Sequence, residues 1–177
     1  MNIVLFGLKS SGKTTIGKKL AEKLGRAFID TDRLIEETYQ LNRQKKLTTR
    51  QIYQEVGSVT FRALEYEVIQ SLQDVQNSII AVGGGAMLLY ENVEALKKNS
   101  QLVYLFFDRE PLKKRVLAQD PLPEFLDPNR PEASFDKMYD ERDDQYKKIH
   151  AIEINVTTMK DKEIIDKICK SVKDGEQ

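Results

Sequence analysis

Gly7-Leu8-Lys9-Ser10-Ser11-Gly12-Lys13-Thr14 follows directly on the apolar run Asn2-Ile3-Val4-Leu5-Phe6. The octet has the form G-x-x-x-x-G-K-[ST], with a strand pattern in front and an amphipathic helical pattern behind, over roughly Lys13 to Leu24. Gly7 and Gly12 leave room for backbone N–H groups to converge on phosphate oxygens. Lys13 brings a point charge to the β- and γ-phosphates, and Thr14 offers a hydroxyl to Mg²⁺. The helix behind aims its positive end at the same anion. Ser10, Ser11 and Thr15 complete the expected nucleotide-binding stretch. Their side chains matter less than their backbone, because such a loop works through its amides.

Outward from the octet, apolar runs alternate with helical patterns. Candidate strands are Asn2–Phe6, Ala27–Ile29, Ser78–Val82, Leu102–Phe106 and Ala151–Asn155. Amphipathic stretches lie near 14–24, 31–39, 50–56, 58–73, 87–98, 109–118, 132–149 and 160–173. This βαβα rhythm predicts a three-layer α/β/α fold with a five-stranded parallel sheet and helices on both faces. In such sheets ligands gather at the carboxyl ends of the strands. Behind the second strand stands Asp30-Thr31-Asp32, behind the third Gly83-Gly84-Gly85, and behind the fifth a polar turn, Val156–Lys160. After the fourth strand and its helix comes 119–131, which holds four of the five prolines and reads neither as helix nor as strand. Its length and place beside the expected site suggest a mobile lid.

The 177 residues suit one domain, 1–177, with a frayed tail at 173–177. Lys and Arg total 28 and so do Asp and Glu, which argues against nucleic-acid binding and against a membrane surface. No stretch approaches a membrane span. A cleaved leader is not expected either, since cleavage would remove the phosphate loop. The single cysteine, Cys169, permits no internal disulfide and fits a reducing cytoplasm. It reads as a small apolar residue of the last helix. The one histidine, His150, reads as structural. No Cys/His cluster points to zinc, so the expected metal is Mg²⁺ carried with ATP. A monomer is the default expectation for a balanced surface.

Asp30 and Asp32 alternate along a segment read as extended, which would point them to opposite sides, one to the metal and one to an acceptor. A carboxylate near an acceptor hydroxyl can orient it and take its proton. The plainer reading is that one of them caps the helix that follows. Gly83-Gly84-Gly85 lets backbone approach a ligand closely, or simply turns the chain. Arg62 and Glu65 stand three apart on one helical face, as a braced guanidinium or as an exposed ion pair. Arg142 lies in Asp140-Glu141-Arg142-Asp143-Asp144 and by spacing alone is a solvated arginine.

Taken together, Phe-Ile-Asp-Thr-Asp at 28–32, Phe-Arg-x-x-Glu at 61–65, Val-Gly-Gly-Gly at 82–85 and the late Arg-x-x-x-Tyr at 142–146 resemble the shikimate kinases, which are relatives of the nucleoside monophosphate kinases. The resemblance runs from Asn2 to about Val172. It implies transfer of the γ-phosphoryl of MgATP to the 3-hydroxyl of shikimate, on the route to chorismate. It implies that Lys13 and Thr14 handle phosphates and Mg²⁺, with Asp30 supporting the metal through water. Asp32 would hold the shikimate hydroxyls and act as base. Arg62, braced by Glu65, and Arg142 would clamp the carboxylate, with Phe61 and the backbone of Gly83, Gly84 and Gly85 lining the acceptor site. Arg115 would stack on adenine opposite the Val156–Lys160 turn. One position departs from the family pattern: Leu122 stands where its lid carries an arginine, and Arg130 is a candidate to supply that charge. Two other readings of the same residues are a gluconate kinase-like enzyme and a nucleotide-binding module without catalysis.

Overall fold

The computed structural model describes residues 1–174. β1 (Asn2–Phe6) leads through the glycine-rich loop into α1 (Lys13–Leu24), and β2 (Ala27–Asp30) is followed by α2 (Thr31–Arg43) and α3 (Thr49–Gln70). β3 (Ser78–Ala81) leads to a 3₁₀ turn (Ala86–Leu88) and α4 (Tyr90–Lys97), and β4 (Ser100–Phe106) to α5 (Arg109–Leu117) and α6 (Pro131–Lys147). β5 (Ile152–Asn155) and α7 (Asp161–Asp174) complete the order. Lys173 and Asp174, expected in the frayed tail, continue α7, and the rest of that tail lies outside the described residues.

The strands form one parallel sheet in the order β2-β3-β1-β4-β5. β1 sits at its centre, with Val4 paired to Ile80 on one side and to Leu102 on the other. All five residues of β1 and all four of β3 are buried, whereas the edge strands β2 and β5 are only partly so. That is why the inner strands read as continuous apolar runs rather than alternating ones: a parallel sheet is covered on both faces. The expected α/β/α architecture is therefore the observed one. β3 on one side of β1 and β4 on the other make a topological switch point, where a crevice opens beyond the carboxyl ends of the strands.

Three local features differ from the expected pattern. The stretches at 50–56 and 58–73 join end to end as α3, broken at Gly57, whose φ of 78° and ψ of 170° no helix can contain. α2 runs on to Arg43 and ends in a left-handed Gln44. The 87–98 stretch opens as a 3₁₀ turn before α4 begins.

α2 and α3 pack on each other through Ile35, Tyr39, Ile52, Phe61 and Val68, a small core separate from the one under the sheet. A capping box sets the start of α3: Thr48 Oγ1 accepts from Gln51 N–H at 3.3 Å, and Gln51 Oε1 accepts from Thr48 N–H at 3.0 Å. α6 is seated by aromatic packing. Phe6 stacks on Tyr104 at 5.2 Å, and Tyr146 meets both rings edge-on at 5.5 and 5.3 Å. The Tyr104 hydroxyl donates to Asp143 at 2.7 Å, and the Tyr146 hydroxyl donates to the carbonyl of Gly84. These contacts fix the face of α6 on which Arg142 lies, one turn before Tyr146.

Candidate active site

Beyond the carboxyl ends of β1, β2 and β3 lies a cavity of about 610 Å³. Its phosphate end is made by the loop before α1. Gly12 occupies the N-cap of that helix without offering a side chain, so the first amides of α1 are left for a ligand. Ser10, Gly12, Lys13, Thr14 and Thr15 line the cavity, whereas Gly7 and Ser11 lie beneath the loop, buried. Lys13 Nζ donates to the carbonyls of Gly7 and Leu8 at 3.0 and 2.9 Å, which holds the ammonium across the loop it serves. Burial, aided by Arg142 and Lys9, lowers its pKa to about 8 against the opposing pull of Asp32 and Asp30.

Asp30 ends β2 and caps α2, its Oδ1 accepting from Asp32 N–H at 3.1 Å. The segment Asp30-Thr31-Asp32 is thus a strand-to-helix corner, not an extended run. The capping reading of Asp30 holds together with its place in the site. Because the corner turns, the two carboxylates do not diverge: both line the same cavity. Asp30 Oδ2 accepts from the Thr14 hydroxyl at 2.9 Å. Asp32 stands beside the glycines, its Oδ1 close to Gly83. Desolvation raises its pKa, the Asp30 charge raises it further, and Lys13 opposes both.

At the opposite end, Arg62 Nη1 donates to Glu65 Oε2 at 2.5 Å. The Glu65 side chain is 2% exposed against 39% for Arg62, so this is no surface pair: a buried carboxylate braces a guanidinium that faces the cavity. Burial raises the Glu65 pKa, opposed chiefly by Arg62. Arg62 also lies over the Phe61 ring at 5.6 Å. Arg142, which its charged neighbours made look solvated, lines the same cavity, with Nη1 3.4 Å from the carbonyl of Gly84. The reason is visible next door: Asp143 is buried beneath it on Tyr104, so α6 presents this face inward. Burial pulls the Arg142 pKa below its ordinary value, with Tyr146 opposing.

The three glycines make these approaches possible. A Cβ on Gly83 would lie 2.7 Å from Asp32 Oδ1 and 3.2 Å from Glu65 Oε1. One on Gly85 would run into the Arg62 guanidinium. The triple glycine is therefore a wall without side chains, against which two carboxylates and two arginines converge.

Arg115 lies over the Phe107 ring at 4.6 Å and donates from Nη1 to the carbonyl of Ser10 at 3.1 Å, at the outer end of the cavity. The turn after β5 is held nearby, with Thr157 Oγ1 accepting from Asp108 N–H at 2.8 Å. Sequence reasoning missed Lys9, Thr49, Arg50, Tyr53, Glu124 and Phe125 as lining residues. Glu124 and Phe125 belong to the proline-rich stretch already set apart, but nothing in their spacing says that they turn inward. Arg130, the candidate for the lid charge, is exposed at the start of α6 and does not line the cavity. The guanidinium that reaches Leu122 is that of Arg50.

The family model of shikimate kinase matches residues 9–173. A shikimate kinase of Symbiobacterium thermophilum is 43% identical over 119 residues, which take in 67% of this chain and 65% of that protein, so the chain spans just under two thirds of its length. A shikimate kinase of Bacillus cereus is 35% identical over 167 residues, 94% of this chain and 95% of that one. Among solved structures, the shikimate kinase from Acinetobacter baumannii in complex with shikimate matches with a TM-score of 0.87 and 30% identity, covering 98% of this chain and 93% of that one.

Proposed function

The chain belongs to the shikimate kinase family, and we propose that it transfers the γ-phosphoryl group of MgATP to the 3-hydroxyl of shikimate. One observation carries this reading: a single cavity joins the Lys13 phosphate loop to the Arg62 and Arg142 pair, with Asp32 between them. The arginines receive the acceptor's carboxylate, the bare backbone of Gly83, Gly84 and Gly85 faces its ring, and Phe61 closes the side. Asp32 orients the attacking hydroxyl and takes its proton as the new P–O bond forms. The bond from the γ-phosphorus to the bridging oxygen breaks, and ADP leaves. Lys13 and the amides of Gly12 and Thr14 hold the phosphates against the charge that develops. Arg115 flanks the adenine. The 119–131 stretch acts as a lid that excludes water on closing.

The residues present suit Mg²⁺. Thr14 Oγ1 and Asp30 Oδ2, 2.9 Å apart, are hard oxygen donors on the phosphate side of the cavity. Among the described residues no group of three or more His, Cys, Asp or Glu side chains forms a cage for a metal. So sparse a donor set fits an ion that keeps water and substrate phosphates as its other ligands. When bound, the ion neutralises phosphate charge, with Asp30 acting through water. In this reading the chain works as one domain and as a cytoplasmic monomer on small molecules alone, in keeping with its balanced charge.

ADP release from MgATP is the test, with shikimate, with gluconate and with no acceptor. Release with shikimate alone is expected. Release with gluconate alone would overturn the acceptor assignment. ATP binding without release in any arm would make the chain a nucleotide-binding module. The Lys13 ammonium adds a second expectation. It is protonated below about 8 and neutral above it, and only the charged form attracts phosphate. The kcat/KM for ATP, which reports the free enzyme, therefore falls as pH rises through about 8. A profile flat to pH 10 would show that burial does not bring the Lys13 ammonium into this range.

A further inference from the structure

Arg50, on the first turn of α3, reaches across to the stretch between α5 and α6. It donates from Nη1 to the carbonyl of Pro121 at 3.2 Å and from Nη2 to the carbonyl of Leu122 at 2.9 Å, and its Nε pairs with Glu124. One turn on, Gln54 Nε2 donates to the same Glu124 carboxylate at 3.3 Å. The pair is half-buried, 32% exposed on Arg50 and 21% on Glu124, and both residues line the cavity. The next residue, Phe125, lies under the Arg142 guanidinium at 5.0 Å. One short run is therefore gripped from two sides, by α3 and by the arginine of α6.

Gly57 gives the grip its meaning. It divides α3 into an arm carrying Arg50, Tyr53 and Gln54 and an arm carrying Phe61, Arg62 and Glu65. Tyr53 meets Phe61 edge-on at 5.4 Å across the break, and Arg62 lies over that Phe61 ring at 5.6 Å. A continuous chain of contacts runs from Arg62 through Phe61 and Tyr53 to the arm that holds Arg50, and on to Glu124. We propose that Arg50 is a positioning residue which, with Glu124, latches the 119–126 stretch to the first arm of α3, so that seating of the acceptor at Arg62 and closure of the stretch over the cavity are one event. Three donors of one planar fork hold two carbonyls and a carboxylate, an arrangement a lysine does not reproduce.

The test compares wild type with Arg50→Ala, Arg50→Lys and Glu124→Gln. Two quantities are read: the shikimate KM against kcat, and, without ligand, exchange of the Leu126 backbone amide, which donates to the carbonyl of Pro123 at 3.0 Å inside the gripped run. The KM arm rests on the proposed shikimate-dependent activity, whereas the exchange arm does not. Arg50→Ala raises the shikimate KM about tenfold, between the loss expected for an exposed ion pair and that for a fully buried one. Its kcat changes far less, and exchange at the Leu126 amide speeds up by about the same factor. Arg50→Lys behaves like Arg50→Ala, because the fork is lost though the charge stays. Glu124→Gln falls between, and carries the same decision should Arg50→Ala fail to fold. Unchanged exchange overturns the latch. Faster exchange with an unchanged KM overturns its link to the acceptor. Full rescue by Arg50→Lys overturns the fork. A wild type without shikimate-dependent ADP release overturns the proposed function, and the exchange data still decide the latch.

Discussion

Asp32→Asn lowers shikimate-dependent turnover by about 10²–10⁴-fold, the usual worth of a positioned general base, and leaves the KM for ATP nearly unchanged. The substitution keeps shape and hydrogen-bonding reach, so the corner at the start of α2 persists, and the cap it rests on belongs to Asp30. What is lost is the ability to take the proton of the attacking hydroxyl. The pH profile separates this from a packing effect. Desolvation and the neighbouring Asp30 hold the Asp32 pKa above the ordinary carboxylate value. In wild type kcat/KM for shikimate therefore falls as pH drops through that raised value, where the carboxylate takes up a proton. In Asp32→Asn the acid limb vanishes along with most of the rate. Initial rates between pH 4 and 9 on both proteins measure it, and a variant with near-wild-type turnover would remove Asp32 from the chemistry.

Arg62→Ala and Arg142→Ala each cost about 2–5 kcal/mol of kcat/KM for shikimate, the range for breaking a desolvated charge contact, or roughly 30- to several-thousand-fold. The two losses differ in character. Removing Arg62 strands Glu65, 2% exposed, without its guanidinium, so the variant also loses thermal stability. Arg142 holds only the Gly84 carbonyl, at 3.4 Å, and the face of Phe125, so its removal touches the acceptor with a smaller effect on the fold. ADP-release kinetics with a parallel melting curve tell them apart. Wild-type shikimate KM and turnover in both variants would refute the clamp.

The parts of this site that were legible in the sequence are local ones. The phosphate loop keeps its whole logic within eight residues, and the Arg62–Glu65 pair within one helical turn. The continuous apolar runs of β1 and β3 announced a sheet covered on both faces. Two kinds of feature were hidden. Arg142 looked solvated because four of its near neighbours carry charge, and only the packing of Asp143 and Tyr146 on the sheet turns it inward. Arg50 and Leu122 are 72 positions apart, so no spacing rule connects them. Arg130, near the lid in sequence, is exposed and does not line the cavity. The corner at Asp30 was legible only as one of two readings, because Asp suits both a strand end and a helix cap. The difference decides whether its carboxylate and that of Asp32 diverge or converge.

The central place of β1 also sets an order of events during synthesis. Its five residues are buried between β3, which begins at Ser78, and β4, which begins at Ser100. The ribosome makes roughly 5–20 residues per second, so this apolar strand waits several seconds for its first neighbour and longer for its second. Ion pairs from α1 to α7, Lys19 to Asp161 and Lys23 to Asp166, come later still. The centre of the sheet is thus among the first parts of the chain to be made and among the last to be enclosed. Until then the apolar strand lacks the neighbours that pair with it in the finished sheet.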